Sequence, residues 1–380
     1  MEWKIPLFKS YWNQKDINAV SKVIKRGTYW ATGPEIQEFE KNLSKFIGKK
    51  YAVSFNSGTS ALHSILLAHN IEGKEVIVPS FTFISTANAV LLAGGKPVFA
   101  ESEPETYGLN VESVKKKITD KTKAIIPLHY GGNTSKDIFE LKETAEENNL
   151  LLIEDAAESL GSEYKGKKAG LFGDAAMFSF CQNKVITTGE GGVIVTGSEE
   201  IYEKLKLIRS HGRVESKNDN YFSTTKEMDY IDIGYNFRMP TLSAALGVSQ
   251  LKKIDKIIKM RKEKANYYHE KLKEINEIIL PTELEKQKHV YQMYTIQCKN
   301  ENDRDKLQDY LTKKGIMTRV YFHPIHLKSF YKNKFGYEIG DLPRTEKLSE
   351  KVLTLPIYAT MTKKEIDYIT CSAEGFFKEG

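Results

Sequence analysis

Between residues 50 and 200, short runs of β-branched and other apolar residues alternate with stretches whose apolar positions recur every three or four residues. The runs are Tyr51–Phe55, Glu75–Pro79, Pro97–Ala100, Ala124–His129, Leu150–Asp155, Ala175–Phe180 and Gly192–Thr196. Such alternation predicts βαβ units around a parallel sheet. Several runs are apolar at both parities, as in Leu150-Leu151-Leu152-Ile153. Strands of that kind are buried on both faces, so the pattern predicts a seven-stranded, mostly parallel sheet with helices on either side. Lys136–Asn148 and Glu199–Ser210 carry the helical spacing with charges opposite, and read as packing helices. After Pro240 the texture changes: Leu242–Leu272 is a long Lys-rich amphipathic stretch. A strand near Tyr291–Cys298, a helix near Asp303–Lys314 and a strand near Met317–Phe322 are predicted beyond it. The expected division is a large α/β domain with the N-terminal arm over 1–245 and a smaller α+β domain over 246–380.

Composition narrows the function classes. With 40% hydrophobic and 28% charged residues the chain has the makings of a core, which argues against disorder. Its 56 basic and 50 acidic groups are interspersed, a balance that argues against a nucleic-acid partner and suits an anionic small molecule. Cys181, Cys298 and Cys371 are far apart and form no zinc-binding spacing, so a cytoplasmic chain without a structural metal is expected. The first sixteen residues, MEWKIPLFKSYWNQKD, lack the apolar core of a signal peptide. Val76–Gly95 is uncharged, but Pro79, Asn88 and Gly94-Gly95 argue against a membrane span and for a buried strand running into a buried helix.

Four segments place polar residues where a strand ends or a helix begins, the usual ligand position in an open α/β sheet. Asn56-Ser57-Gly58-Thr59-Ser60 turns a strand into a helix start with free amides and hydroxyls, suited to phosphate; alone it is also a plain turn and N-cap. Asp155 ends a very apolar strand, where a carboxylate needs a partner or serves as a helix cap. Lys184 lies just past another buried strand, before the Thr187-Thr188-Gly189-Glu190-Gly191-Gly192 loop, a setting in which an amine with cationic neighbours can stay neutral. Phe83 offers a ring near the sheet edge, where core packing is the default. A phosphate cradle, a buried carboxylate, a masked lysine and a flat ring together match the needs of pyridoxal phosphate.

In the order and spacing of these motifs the sequence resembles the DegT-type nucleotide-sugar aminotransferases, a branch of the aspartate-aminotransferase fold (fold type I) that includes perosamine synthase. The resemblance extends over Thr32-Gly33-Pro34-Glu35, Ser57–His63, Pro127–Gly131, Glu154–Glu158, Phe178–Gly192, Gly234–Met239 and Phe322–His326. It implies that Lys184 forms the Schiff base, Asp155 partners the pyridine nitrogen and Phe83 stacks on the ring. Glu158, where relatives often have glutamine, would lie near the phenolic oxygen. Gly58, Thr59, Ser60 and Ser179 would hold the phosphate, and Asn236 would reach the same phosphate from a neighbouring subunit, making a homodimer with a shared site. His326 would sit on the sugar side of the site.

The activity implied is transfer of an amino group from an amino acid, L-glutamate by resemblance, to a nucleotide-linked keto sugar. The Gly234–Met239 stretch resembles relatives that aminate C4 of a 4-keto-6-deoxy sugar. C3 transfer, transfer to a keto-inositol and a non-catalytic cofactor-binding regulator are the alternatives. Arg26, Arg213, Arg238 and Arg319 could meet a pyrophosphate or be ordinary surface and structural charges. Gly161–Lys168 begins like a P-loop, but Lys168 stands where Ser or Thr should bind magnesium, so a Lys-Gly-Lys hairpin turn is expected there. No GxGxxG follows any strand, which leaves a dehydrogenase without an anchor.

Overall fold

The computed structural model describes residues 3–214 and 228–379. All seven anticipated runs join one sheet: β1 (Tyr51–Phe55), β2 (Glu75–Pro79), β3 (Lys96–Ala100), β4 (Thr122–Ile125), β5 (Leu151–Asp155), β6 (Ala175–Ser179) and β7 (Gly192–Thr196), in spatial order β1-β7-β6-β5-β4-β2-β3. Only β7 runs against its neighbours; the other strands share one direction, so their C-terminal ends meet at one edge.

Alternating side chains go to opposite layers, as a two-residue period requires. Val53, Val76, Ile153 and Met177 meet α3 (Gly58–Ala68), α4 (Ser85–Leu92) and α7 (Glu199–Arg209). The other parity supplies Ala52, Phe178 and Val195 to α2 (Pro34–Ile47) and α8 (Thr241–Leu251). Ile77, Ile125 and Leu152 meet α5 (Val111–Lys117) and α6 (Ile138–Glu147) on that same side. Val76–Gly95, uncharged throughout, is β2 followed by α4, and no helix among the described residues is long and apolar enough to cross a membrane.

A second core lies around a three-stranded antiparallel sheet of β8 (Ile278–Ile279), β9 (Tyr294–Cys298) and β10 (Val352–Leu355), packed by α9 (Ile254–Leu272), α10 (Glu301–Lys313) and α13 (Lys363–Glu379). Ile5 of the N-terminal arm is buried in this core and pairs with Ile316.

Three boundaries differ from the expectation, each for a tertiary reason. The stretch 242–272 is two helices, because Lys253 (φ −117°, ψ 3°) leaves the helical path and turns inward to pair with buried Asp16. Residues 317–322 form no regular strand; Met317 bonds Ile5 while Arg319 bonds Thr354, so the segment changes partner after two residues. β9 starts at Tyr294 rather than Tyr291, whose positive φ of 49° interrupts extended backbone. The Lys-Gly-Lys hairpin is present: Glu163-Tyr164 pairs with Lys167-Lys168 across Lys165 and Gly166, both at positive φ.

Candidate active site

Strand parity decides which carboxylate of Glu154-Asp155 enters the site. Glu154 follows Leu152 into the α5/α6 layer, where it accepts N–H bonds from Gly170, Phe172, Gly173 and the His129 ring. Burial works against its charge, but His129 and those amides prevail and hold it below the usual carboxylate value. Glu154 is therefore structural. Asp155 follows Ile153 to the α3/α4 face and is buried. It accepts the Thr86 hydroxyl at 2.7 Å and the Ala157 N–H at 3.2 Å. Burial raises it above the usual range despite those bonds; nearby Glu158 adds to the rise and Lys184 opposes it.

Lys184, 13% exposed at its side chain, places Nζ 3.4 Å from Oε1 of Glu158, itself buried. The charged neighbour of this largely buried amine is thus a carboxylate. Glu158 is oriented by the Gly131 N–H, 2.9 Å from Oε2. The lysine loop is pinned from two sides: Ser10 of the N-terminal arm donates to the Gln182 carbonyl, and Gln292 donates to that of Asn183.

Ser57 caps α3, accepting the Ser60 N–H at 3.0 Å and touching the Ser60 hydroxyl at 2.8 Å. The N–H groups of Gly58 and Thr59, in the first turn, have no acceptor among the described residues. A side chain at Gly58 would put its Cβ 3.3 Å from the Cβ of Ser179, so glycine is what lets the helix start close on the end of β6. The result is an amide- and hydroxyl-lined cradle suited to a phosphate. Phe83 is 57% exposed, its ring 6.5 Å from that of Phe322.

Lys184, Asp155, Glu158, Ser179 and Gly58–Ser60 thus gather at one sheet edge. Three other candidates lie elsewhere in the chain's own network. Asn236 is exposed and bridges to Ser210, with its carbonyl against Asn56. Arg238 donates to the Ser210 hydroxyl. His326 is fully buried, Nδ1 2.7 Å from the Ser80 hydroxyl and Nε2 3.1 Å from Glu346, so both ring nitrogens are engaged inside the protein. Sequence reading assigned no role to Thr86, Gly131 or Gln292: Gly131 lay inside the Pro127–Gly131 motif without an assignment, Thr86 had only its spacing from Thr82, and Gln292 carried no signal.

An amine, a buried carboxylate on the same face, a phosphate-sized cradle and an exposed ring fit pyridoxal phosphate, and the layout is that of a fold type I aminotransferase. Residues 11–373 match the DegT/DnrJ/EryC1/StrS aminotransferase family, and the chain belongs to that family. It is 37% identical over 353 residues to the GDP-perosamine synthase of Caulobacter vibrioides, covering 91% of this chain and 92% of that protein. PseC of Helicobacter pylori, an aminotransferase involved in pseudoaminic acid biosynthesis, superposes with a TM-score of 0.91 at 30% identity over the whole of both chains. Spr1654 of Streptococcus pneumoniae in its PLP-form gives 0.91 at 26% identity, covering 99% of each chain. The protein is a pyridoxal-phosphate-dependent sugar aminotransferase of amino-sugar biosynthesis, working between an amino donor and a keto sugar.

Proposed function

We propose that the amino group moves from L-glutamate to C4 of a nucleotide-linked 4-keto-6-deoxy sugar. The observation that carries the chemistry is the Lys184–Glu158 contact beside buried Asp155. The sugar assignment is supported by the Gly234–Met239 stretch and by the likeness to GDP-perosamine synthases at 37% and 34% identity.

When bound, pyridoxal phosphate supplies an electron sink that lets a C–H bond beside nitrogen break and re-form. Lys184 is the group that takes and returns that proton, with Glu158 orienting its Nζ. Asp155, aimed by Thr86 and the Ala157 N–H, presents the anion for the ring nitrogen. The amides and hydroxyls of Gly58, Thr59, Ser60 and Ser179 take the phosphate, and Phe83 covers the ring.

Asn236 reaches the phosphate of a second copy in this reading. Support comes from its exposure in a segment with bare apolar side chains, Ile233 at 84% and Tyr230 at 51%. Such a band fits a homodimer interface. Asn236→Ala is expected to lose cofactor on dialysis faster than the wild type while sedimenting unchanged; equal retention would remove the shared site.

The direct test is the visible spectrum of the holoenzyme. L-glutamate should bleach the band, and one member of a panel of nucleotide-linked 4-keto-6-deoxy sugars should restore it. A band that glutamate leaves unchanged rejects the donor, and restoration only by a 3-keto sugar rejects C4.

A further inference from the structure

Behind the site, the segment Val290–Met293 holds both partners of the Lys184–Glu158 pair. The N–H groups of Val290 and Met293 donate to the carbonyls of Gly132 and Gly131 at 2.8 and 2.9 Å, and the Gly131 N–H in turn orients Glu158. The approach is close: Gly132, at φ +104°, would place a Cβ 2.6 Å from the Gln292 nitrogen. On the lysine side, the Gln292 amide donates to the carbonyl of Asn183, the residue before Lys184.

Gln292 is buried, 5% exposed, and its Oε1 has no partner among the described residues. Leaving a buried carbonyl unbonded is destabilising, so the side chain is held there for what its N–H₂ does.

What holds the segment is Arg261 of α9, buried and with no carboxylate partner among the described residues. Nε donates to the Tyr291 carbonyl at 2.7 Å, and Nη2 to those of Gln292 at 2.8 Å and Ile357 at 3.2 Å. Burial lowers the guanidinium to about 10. A buried cation that spends its donors on three carbonyls is a brace for backbone.

We propose that Gln292, braced by Arg261, is a positioning residue that sets Lys184 against Glu158 and thereby the reach of the lysine amine. The proposal rests on Lys184 being the amine that captures the cofactor.

The experiment follows capture of pyridoxal phosphate by cofactor-free full-length protein, read as the rate at which the visible band appears, together with kcat, KM and the thermal midpoint. Gln292→Met keeps the volume and removes the donor. One lost hydrogen bond is worth about a fivefold change, so capture and kcat should each fall about five- to tenfold, with the sugar KM within about twofold of the wild type. Gln292→His, which retains an N–H, should recover part of both rates, and Arg261→Lys should act in the direction of Gln292→Met. Wild-type capture and kcat in Gln292→Met would overturn the proposal. So would equal losses in Gln292→Met and Gln292→His that track a lowered thermal midpoint, which would leave packing alone. Lys184→Ala is the control: normal capture by that variant would instead reject the reading of Lys184 itself.

Discussion

Lys184→Ala is expected to yield a folded protein without turnover and without the visible band of the bound cofactor. Among the described residues the side chain's one hydrogen bond is to Glu158, so its removal breaks no other polar contact. The frame of the loop survives: the Lys184 N–H still bonds the Cys181 carbonyl, Gln292 still holds Asn183, and Glu158 keeps the Gly131 N–H. What goes is, among the described residues, the amine that contacts Glu158 beside Asp155, the group proposed to carry the proton. Proton transfer by a positioned side chain is worth about 10²–10⁴-fold, and loss of the covalent attachment adds to that. The measurements are kcat, the absorbance spectrum and far-ultraviolet circular dichroism. A variant with an unchanged circular dichroism spectrum and wild-type turnover would sink the assignment.

The large sheet was legible because its strands are apolar at both parities, a local property that needs no partner to be seen. Its small companion was harder. Residues 317–322 have the composition of a strand, yet Ile5 and Thr354, one from each end of the chain, share its hydrogen bonds. The site divides in the same way. Lys184 and Asp155 stood out because each ends or follows an apolar run, and Glu158 was named through the family resemblance. The residues that aim them did not, since Thr86 meets Asp155 across 69 positions and Gln292 meets Asn183 across 109. His326 was visible as a residue but not as a contact: its Ser80 partner lies 246 positions away, and that pairing buries the ring. Spacing along the chain reports helix and strand faces; it does not report which loop from the second core closes on them.

Asp155→Asn is expected to lower kcat by about 10²–10³-fold while making the cofactor-free protein no less stable. The catalytic loss follows from the charge, since a neutral amide in that buried position no longer balances a protonated ring nitrogen. Stability runs the other way. Burial raises the Asp155 carboxyl in the cofactor-free chain, and a group raised on folding contributes stability below its unfolded value that is lost as pH rises through the folded value. At neutral pH the wild-type carboxylate is therefore a burden that asparagine removes. The local bonds can adapt: the asparagine carbonyl takes the Ala157 N–H, and its amide faces Thr86, whose hydroxyl can turn to Thr82, 3.1 Å away. Thermal melts of cofactor-free wild type and Asp155→Asn should give the variant the equal or higher midpoint at neutral pH, with the gap closing as pH falls. With pyridoxal phosphate bound the order should reverse, because only the carboxylate gains from the cation then beside it. A variant less stable than wild type in both states would make Asp155 a structural cap, whereas the reversal would mark it as a residue that the fold keeps for its cofactor.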